Sequence, residues 1–292
     1  MSHHSGFVNI IGNPNVGKSS LLNALIGERL AIINAKAQTT RHRIFGIYND
    51  NDYQIVFSDT PGVIKPAYKM QESMMVFVKE ALQDADVFLF MAELGDREFK
   101  DEAILERLKK AEVPVIVGLN KIDTGNQDSL EADLEYWSGV FPNAHRIFPL
   151  SVIEGFNVSQ LFETIKSLIP EGPEWFPKDQ LTDKSERFVV SEIIREKILS
   201  NYKQEIPYSV QVEVEEFKEE LNIIRIRAVI VVARDTQKSI IIGKGGSAIK
   251  RVGTDARKDM EKFFGKKIFL ETFVKVDKDW RDDSRKLKKY GY

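Results

Sequence analysis

The stretch Gly12–Ser19 reads GNPNVGKS and fits the phosphate-loop pattern G-x-x-x-x-G-K-[S/T]. It constrains the fold more than any other part of the chain, because the pattern has chemical meaning only between a strand and a helix. Both are predicted: Phe7–Ile11 (FVNII) is an apolar run of strand length, and Ser20–Ile26 is Leu- and Ala-rich with helical character. In that setting Gly12 and Gly17 let the backbone wrap closely around a polyphosphate, with Asn13, Pro14, Asn15 and Val16 forming the turn between them. Successive N–H groups and the helix N-terminus supply fixed positive potential. Lys18 is expected to reach between the β- and γ-phosphates, and the Ser19 hydroxyl to take a position on Mg²⁺. The loop implies nucleotide binding.

The pattern beyond the loop says what kind of sheet carries it. Lys36–Arg43 (KAQTTRHR) is polar and reads as a loop; Ile44–Tyr48 and Tyr53–Ser58 alternate like strands around the turn residues 49–52. Tyr68–Leu82 and Asp101–Ala111 have helical character, the second with a cap, and Val87–Met91 and Pro114–Leu119 read as buried strands. A helix around Ser129–Val140, a strand Ile147–Leu150 and a helix Val158–Leu168 follow. Strands alternating with helices indicate a mostly parallel sheet with helices on both faces, and ligands of such sheets bind at the carboxyl ends of the strands. DTPG (59–62) and NKID (120–123) both stand at such ends.

Pro170, Gly172, Pro173 and Pro177 then break the alternation. The expected organisation is a nucleotide-binding domain over 1–172, a linker over 173–184 and a second domain over 185–292. The second part reads as a helix near Ser191–Ser200, strands Ser209–Glu215 and Ile223–Ala233, a short helix Gln237–Ile242, a helix Ser247–Phe263 and a strand Lys267–Val276, ending in a basic tail. Charge follows the same division. Residues 185–292 hold 24 basic against 18 acidic side chains, leaving 18 against 26 before them, and 238–267 alone holds nine against three. An acidic front part joined to a part with one local basic patch suits an anionic partner at that patch. The absence of cysteine excludes disulfides and thiolate metal sites and fits a reducing cytosol. No apolar run approaches the length of a membrane span, and with the chain running directly into its first strand no signal peptide is expected. His3 and His4 read as a solvated start rather than a metal site.

Three constellations carry the chemistry. In DTPG, Asp59 is placed to hold Mg²⁺ through a water and Gly62 to sense a γ-phosphate through its N–H, with Thr60 and Pro61 completing the segment. In NKID, the Asp123 carboxylate only accepts hydrogen bonds, which suits the N1–H and 2-amino donors of guanine and nothing on the same edge of adenine. Asn120 and Lys121 precede it at the strand end, and Ser151, after the last strand, is placed to offer a backbone N–H near guanine O6. Thr39 and Thr40 lie in the polar loop where a mobile threonine reaches Mg²⁺ when γ-phosphate is present; Thr40, next to Arg41, is the favoured one. The third constellation is Gly243-Lys244-Gly245-Gly246 in an α-β-β-α-α-β frame, the KH clamp that grips about four unpaired nucleotides. Its glycines admit phosphate, Lys244 adds charge, Ile242 contributes to an apolar platform, and Lys250, Arg251, Arg257 and Lys258 extend the basic surface.

GNPNVGKS, the TTR loop, DTPG and NKID together resemble the translation-factor-related GTPases, and KAQTTRHR resembles the Era-like bacterial group in particular. The segments SERFVVSEIIREKI (185–198), EIPYS (205–209), ARKDM (256–260) and WRDD (280–283) are similar to that group's C-terminal domain, so the resemblance covers almost the whole chain. It implies a GTP/GDP-binding P-loop domain followed by a type II KH domain. It further implies slow GTP hydrolysis, binding near the 3′ end of small-subunit ribosomal RNA and a part in subunit assembly. Small-subunit ribosomal proteins as further partners, a monomeric state, and a cytoplasmic location with weak peripheral contact at the inner membrane face belong to the same expectation. Two departures stand out. Val152 follows Ser151 where many GTPases have Ala, and Val63 occupies the place of the water-orienting Gln of Ras-type enzymes, as in the Era-like group. With that Gln absent no side chain qualifies as catalytic base, and the resemblance gives Asn15 a role in holding K⁺. The alternatives are a constitutive RNA-binding protein with a structural nucleotide site and a metabolic phosphotransferase.

Overall fold

The computed structural model describes residues 3–292 as two compact units, one of residues up to Ala67 with Gln71–Asp183, the other of Tyr68–Met70 with Lys184–Tyr292. In the first unit the chain runs β1 (His4–Gly12), α1 (Lys18–Ile26), β2 (Ile44–Asn49), β3 (Tyr53–Asp59), α2 (Lys69–Ala81), β4 (Val87–Glu93) and α3 (Glu102–Lys109). It continues through β5 (Val115–Asn120), α4 (Gln127–Val140), β6 (Arg146–Pro149) and α5 (Val158–Leu168). The six strands are ordered β2-β3-β1-β4-β5-β6; only the β2–β3 hairpin is antiparallel. Val8, Ile10, Ile11, Leu89, Phe90, Ile116 and Val117 are all buried, as the apolar runs require of strands covered on both faces. Asp101 caps α3 by accepting from Ala103 N and Ile104 N at 3.0 and 3.1 Å.

The carboxyl ends of β1, β3, β4 and β5 lie side by side, which brings the sequence motifs to one rim. At β1 the chain leaves against β4: a β-carbon on Gly12 would stand 2.3 Å from Met91 O. No other residue can end this strand here.

The stretch expected to be a linker is instead strapped to the first unit. Ser5 Oγ donates to Pro173 O at 2.6 Å, and Gln54 Oε1 accepts from Trp175 N and Phe176 N at 2.6 and 2.9 Å. Ile47 N then donates to Leu181 O, and Phe45 N to Asp183 Oδ1, each at 2.9 Å, so the outer edge of β2 is covered. The histidines take part as well. Nδ1 of His3 pairs with Gly172 O at 3.0 Å and Nδ1 of His4 with Ile169 O at 3.1 Å, which corrects their reading as a solvated start.

The second unit runs α6 (Glu186–Asn201), β7 (Val210–Glu219), β8 (Ile223–Val232), α7 (Asp235–Ile242), α8 (Ser247–Phe264), β9 (Lys267–Val276) and a short α9 (Ser284–Lys289). Its sheet is ordered β7-β8-β9, antiparallel then parallel. Val190, Ile194 and Ile198 on α6 and Val252, Ala256 and Met260 on α8 recur at helical spacing and join Ile226 and Ile230 in one core. α6 begins five residues earlier than its apolar pattern suggests, where Ser185 Oγ accepts from Phe188 N at 3.3 Å. β7 also runs beyond the expected Glu215, because a bulge between Val214 and Glu216 resets the alternation that marks a strand.

Candidate functional site

The phosphate loop is held open by its neighbours. Gly17 has φ +101°, and a β-carbon on it would lie 2.2 Å from Asn120 Nδ2. That amide donates to Val16 O at 2.9 Å, while Asn120 Oδ1 accepts from Val152 N at 3.1 Å. One side chain thus joins the phosphate loop to the loop after β6. Asn13 ties the other flank, donating to Glu98 O at 2.6 Å and accepting from Lys100 N at 3.2 Å. Gly62 has no room for a side chain, since its β-carbon would meet Pro14 Cα at 2.6 Å. Asn15 sits at φ +66° and donates to Ala35 O at 2.9 Å.

Lys18 opens α1 and is buried; its Nζ donates to Gly12 O at 3.0 Å and Asn13 O at 2.7 Å. Burial pushes its pKa down to about 8, against the opposing pull of Asp59, so the group remains a cation at neutral pH. Ser19 Oγ donates to Asp59 Oδ2 at 2.6 Å and lies 2.8 Å from Thr40 Oγ1, which reaches the same carboxylate oxygen at 3.4 Å. Thr39 turns away, donating to Lys36 O at 2.6 Å, so the structure brings Thr40 alone of the two to this cluster. Asp59 Oδ1 is buried and meets no donor, and burial raises the carboxyl to about 6, offset in part by Lys18. Two hydroxyls and a carboxylate with an orphaned oxygen form a hard, oxygen-only donor set that suits Mg²⁺ with several waters retained. Thr60 donates to Ile10 O at 2.8 Å and Pro61 is buried, so both brace the strand end. Val63 is fully buried in the core and its N–H donates to Gly12 O at 3.1 Å, so no side chain at that position faces the phosphates.

A cavity of about 880 Å³ extends from this cluster to the base-reading motif, lined at its far end by Lys121, Asp123, Val152 and Ile153. Ser151, expected to offer its backbone N–H, also makes a side-chain contact in this motif. Its N–H is used in a bridge to Phe156 O at 3.4 Å, and its hydroxyl donates to Asp123 Oδ1 at 2.6 Å. The hydroxyl thus holds one oxygen of the Asp123 carboxylate, while the chain turns back on itself at Phe156. Reading the sequence also missed Glu93, whose Oε2 accepts from Lys121 Nζ at 2.7 Å. Its only signal was its place at a strand end. Ile32, Ile33 and Ile153 wall the cavity with no motif to mark them.

In the second unit GKGG joins α7 to α8 with Gly243, Gly245 and Gly246 at φ +71°, +59° and +77°. All three lie in the region that favours glycine. A β-carbon on Gly243 would meet Ala248 Cβ at 2.7 Å, whereas Gly245 and Gly246 have nothing within 4 Å and face open space. Lys244 is exposed, Ile242 half-buried and Ile240 49 % exposed. Lys250 and Arg257, and Arg251 and Lys258, are spaced seven apart on α8, so all four share one exposed helix face continuous with the loop.

The pattern of the 50S ribosome-binding GTPase family matches residues 7–121 and that of the KH domain residues 205–281. The GTPase Era of Alkaliphilus metalliredigens is 46% identical over 297 aligned positions, covering all of both chains. The chain belongs to the Era GTPase family. The Era of Staphylococcus haemolyticus is likewise 46% identical, over 99% of this chain and 97% of its own. A solved Era structure, in complex with MgGDPNP and nucleotides 1506–1542 of 16S ribosomal RNA, superimposes with a TM-score of 0.94 at 38% identity, covering 99% of each chain.

Family membership makes the nucleotide chemistry testable residue by residue. Asp123→Asn replaces an acceptor-only group with one that can also donate, so guanine binding should weaken and xanthine binding strengthen, each by about a hundredfold. Competition of GTP and xanthosine triphosphate for the variant checks it; unchanged guanine preference would remove Asp123 as the reader. In the second unit, Gly246→Asp places a carboxylate in the open space beside the loop. RNA affinity should fall at least about tenfold while intrinsic GTP turnover stays as it was. For the unmodified protein, log affinity against log salt should slope near about −3, given four phosphates at about −0.7 each. A slope near zero would remove the basic face as the RNA site.

Proposed function

We propose that this chain is a GTP-hydrolysing switch that binds single-stranded ribosomal RNA near the 3′ end of the small-subunit rRNA and assists assembly of that subunit. The observation that carries the reading is the presence on one chain of the Ser19–Thr40–Asp59 cluster, a carboxylate oriented to read guanine, and an open GKGG loop on a basic helix. The solved relative that holds MgGDPNP together with 16S rRNA nucleotides supports taking the two ligands together. A cytoplasmic location, a monomeric state, small-subunit ribosomal proteins as neighbours and weak membrane contact are part of the same proposal, on resemblance alone.

In this reading the backbone of residues 12–19 wraps the phosphates, and Lys18, already stripped of water, directs an undiluted positive charge at them. Ser19 and Thr40, with Asp59 through water, would hold Mg²⁺, which would supply positive charge against the phosphates. Thr40 bonds Ser19 and Asp59, and a γ-phosphate would favour that place over release with the 36–43 loop. Hydrolysis is slow because Val63 is in the core and no base stands in its place. We assign to Asn15 a share in holding K⁺ beside the phosphates. Its amide nitrogen is engaged with Ala35 O, which leaves the side-chain carbonyl oxygen as its ligating atom.

Two measurements test these steps. GTP turnover should be faster in K⁺ than in Na⁺ at matched ionic strength, and Asn15→Ala should abolish the difference; equal rates in the two salts would end the assignment. RNA affinity measured at one fixed salt concentration should be tighter with a non-hydrolysable GTP analogue than with GDP, by about 5–150-fold, and RNA must tighten GTP by the same factor. Identical affinities in the two nucleotide states would mean that the units act independently.

A further inference from the structure

We propose that Glu93 is a positioning residue for guanine binding: its carboxylate anchors the Lys121 ammonium and so fixes the lysine stem along the base compartment of the cavity. The inference rests on the guanine reading of that pocket. Glu93 is the last residue of β4 and pairs in register with Asn120, the last residue of β5, and Leu94 N donates to Asn120 O at 2.9 Å. The end of β4 is therefore locked to the start of the base-reading motif by backbone alone. At the next residue the chain turns sharply: Lys121 has φ +64°, in a region that a β-carbon makes unfavourable. Its side chain runs back to β4, where Nζ meets Glu93 Oε2 at 2.7 Å. Both residues line the same cavity.

The side chains are 34% and 33% exposed, too open for the pair to contribute much to folding. Its consequence lies in the freedom of the lysine. An unanchored lysine has many rotamers to lose when a base settles against its stem, whereas an anchored one has lost them before the nucleotide arrives. The anchor also keeps the ammonium off the other carboxylate of the compartment. Asp123 lines the same cavity, and an ammonium freed from Glu93 would pair with it and occupy the acceptor that reads guanine. Glu93 thus acts on the base through Lys121 and on the reader by holding a competitor away. Neither role touches the phosphates.

The test is release of a fluorescent GDP analogue, followed by stopped flow, from the full chain and from Glu93→Gln, Glu93→Ala, Lys121→Ala and the Glu93→Ala/Lys121→Ala double variant. Glu93→Ala should release GDP about tenfold faster. Glu93→Gln should release it by a smaller factor, since the amide oxygen still accepts from the ammonium. The double variant should be no faster than Lys121→Ala, because the two residues act as one unit. Raising salt should narrow the gap between the unmodified chain and Glu93→Ala. In the Glu93 variants the single-turnover hydrolysis rate at saturating GTP should stay within about twofold, which puts the effect on binding rather than on the chemical step. Unchanged release in both Glu93 variants, additive effects in the double variant, or release and hydrolysis falling together with thermal stability would each overturn the proposal. Should Glu93→Ala fail to fold, the isosteric Glu93→Gln carries the comparison alone. If the unmodified chain does not retain GDP, it is the guanine reading that fails, which keeps the two failures distinct.

Discussion

The nucleotide site depends on one side-chain amide. Asn120 donates to Val16 O and accepts from Val152 N, so the phosphate loop and the loop after β6 share a single fixed spacer. The spacer fits only because Gly17 has no side chain: the contact that forbids a β-carbon there is with the Asn120 nitrogen itself. A motif glycine usually explained by backbone approach to phosphate is thus also required by a neighbour 103 residues away in sequence. Asn120 is buried, and its amide is satisfied at both ends, so the brace is rigid rather than merely present. The distance between phosphate and base compartments, which any nucleotide must match, is set by this link.

Around that brace the protein keeps two opposite charges out of water. Burial lowers the Lys18 pKa and raises that of Asp59, and each partly restores the charged form of the other. Such a pair adds little to folding, because the cost of removing both ions from water offsets their attraction. Its value is chemical. A dehydrated ammonium acts strongly on phosphate, and a carboxylate with one unsatisfied oxygen has a standing demand for a cation. These features argue against the nucleotide site being a structural relic, since a relic has no reason to keep buried charges poised. They leave hydrolysis without a side-chain base, which suits a timed switch better than a metabolic phosphotransferase.

The second unit meets its ligand differently. Among the described residues its GKGG loop carries glycines at positive φ with open space around Gly245 and Gly246, so the absence of side chains clears a surface rather than accommodating an internal neighbour. The loop is held from below by the α7–α8 core and by Ala248 against Gly243. Rigid support with an open outer face is what a clamp on a flexible polyanion needs, because the ordering cost then falls on the RNA alone.

Much of this was legible in the residues. The phosphate loop, the alternation of strands and helices, DTPG, NKID and the GKGG frame each have local causes, and local causes are written in order along the chain. Glycine at a sharp turn, apolar period and acceptor-only carboxylate fall in this class. What tertiary structure decided are relations between segments distant in sequence. That Thr40 rather than Thr39 meets Ser19 and Asp59 depends on where a loop is pinned. That the Ser151 hydroxyl meets Asp123 depends on how the loop after β6 packs beside the end of β5. The linker became a strap because β2 leaves an unpaired edge, and an unpaired edge is a property of the sheet, not of any residue in it. Glu93 had no sequence signal beyond its place at a strand end, since its partner is set by strand register. Sequence specifies which chemistry each segment can offer; which offers meet is decided by geometry that exists only once the sheet has formed.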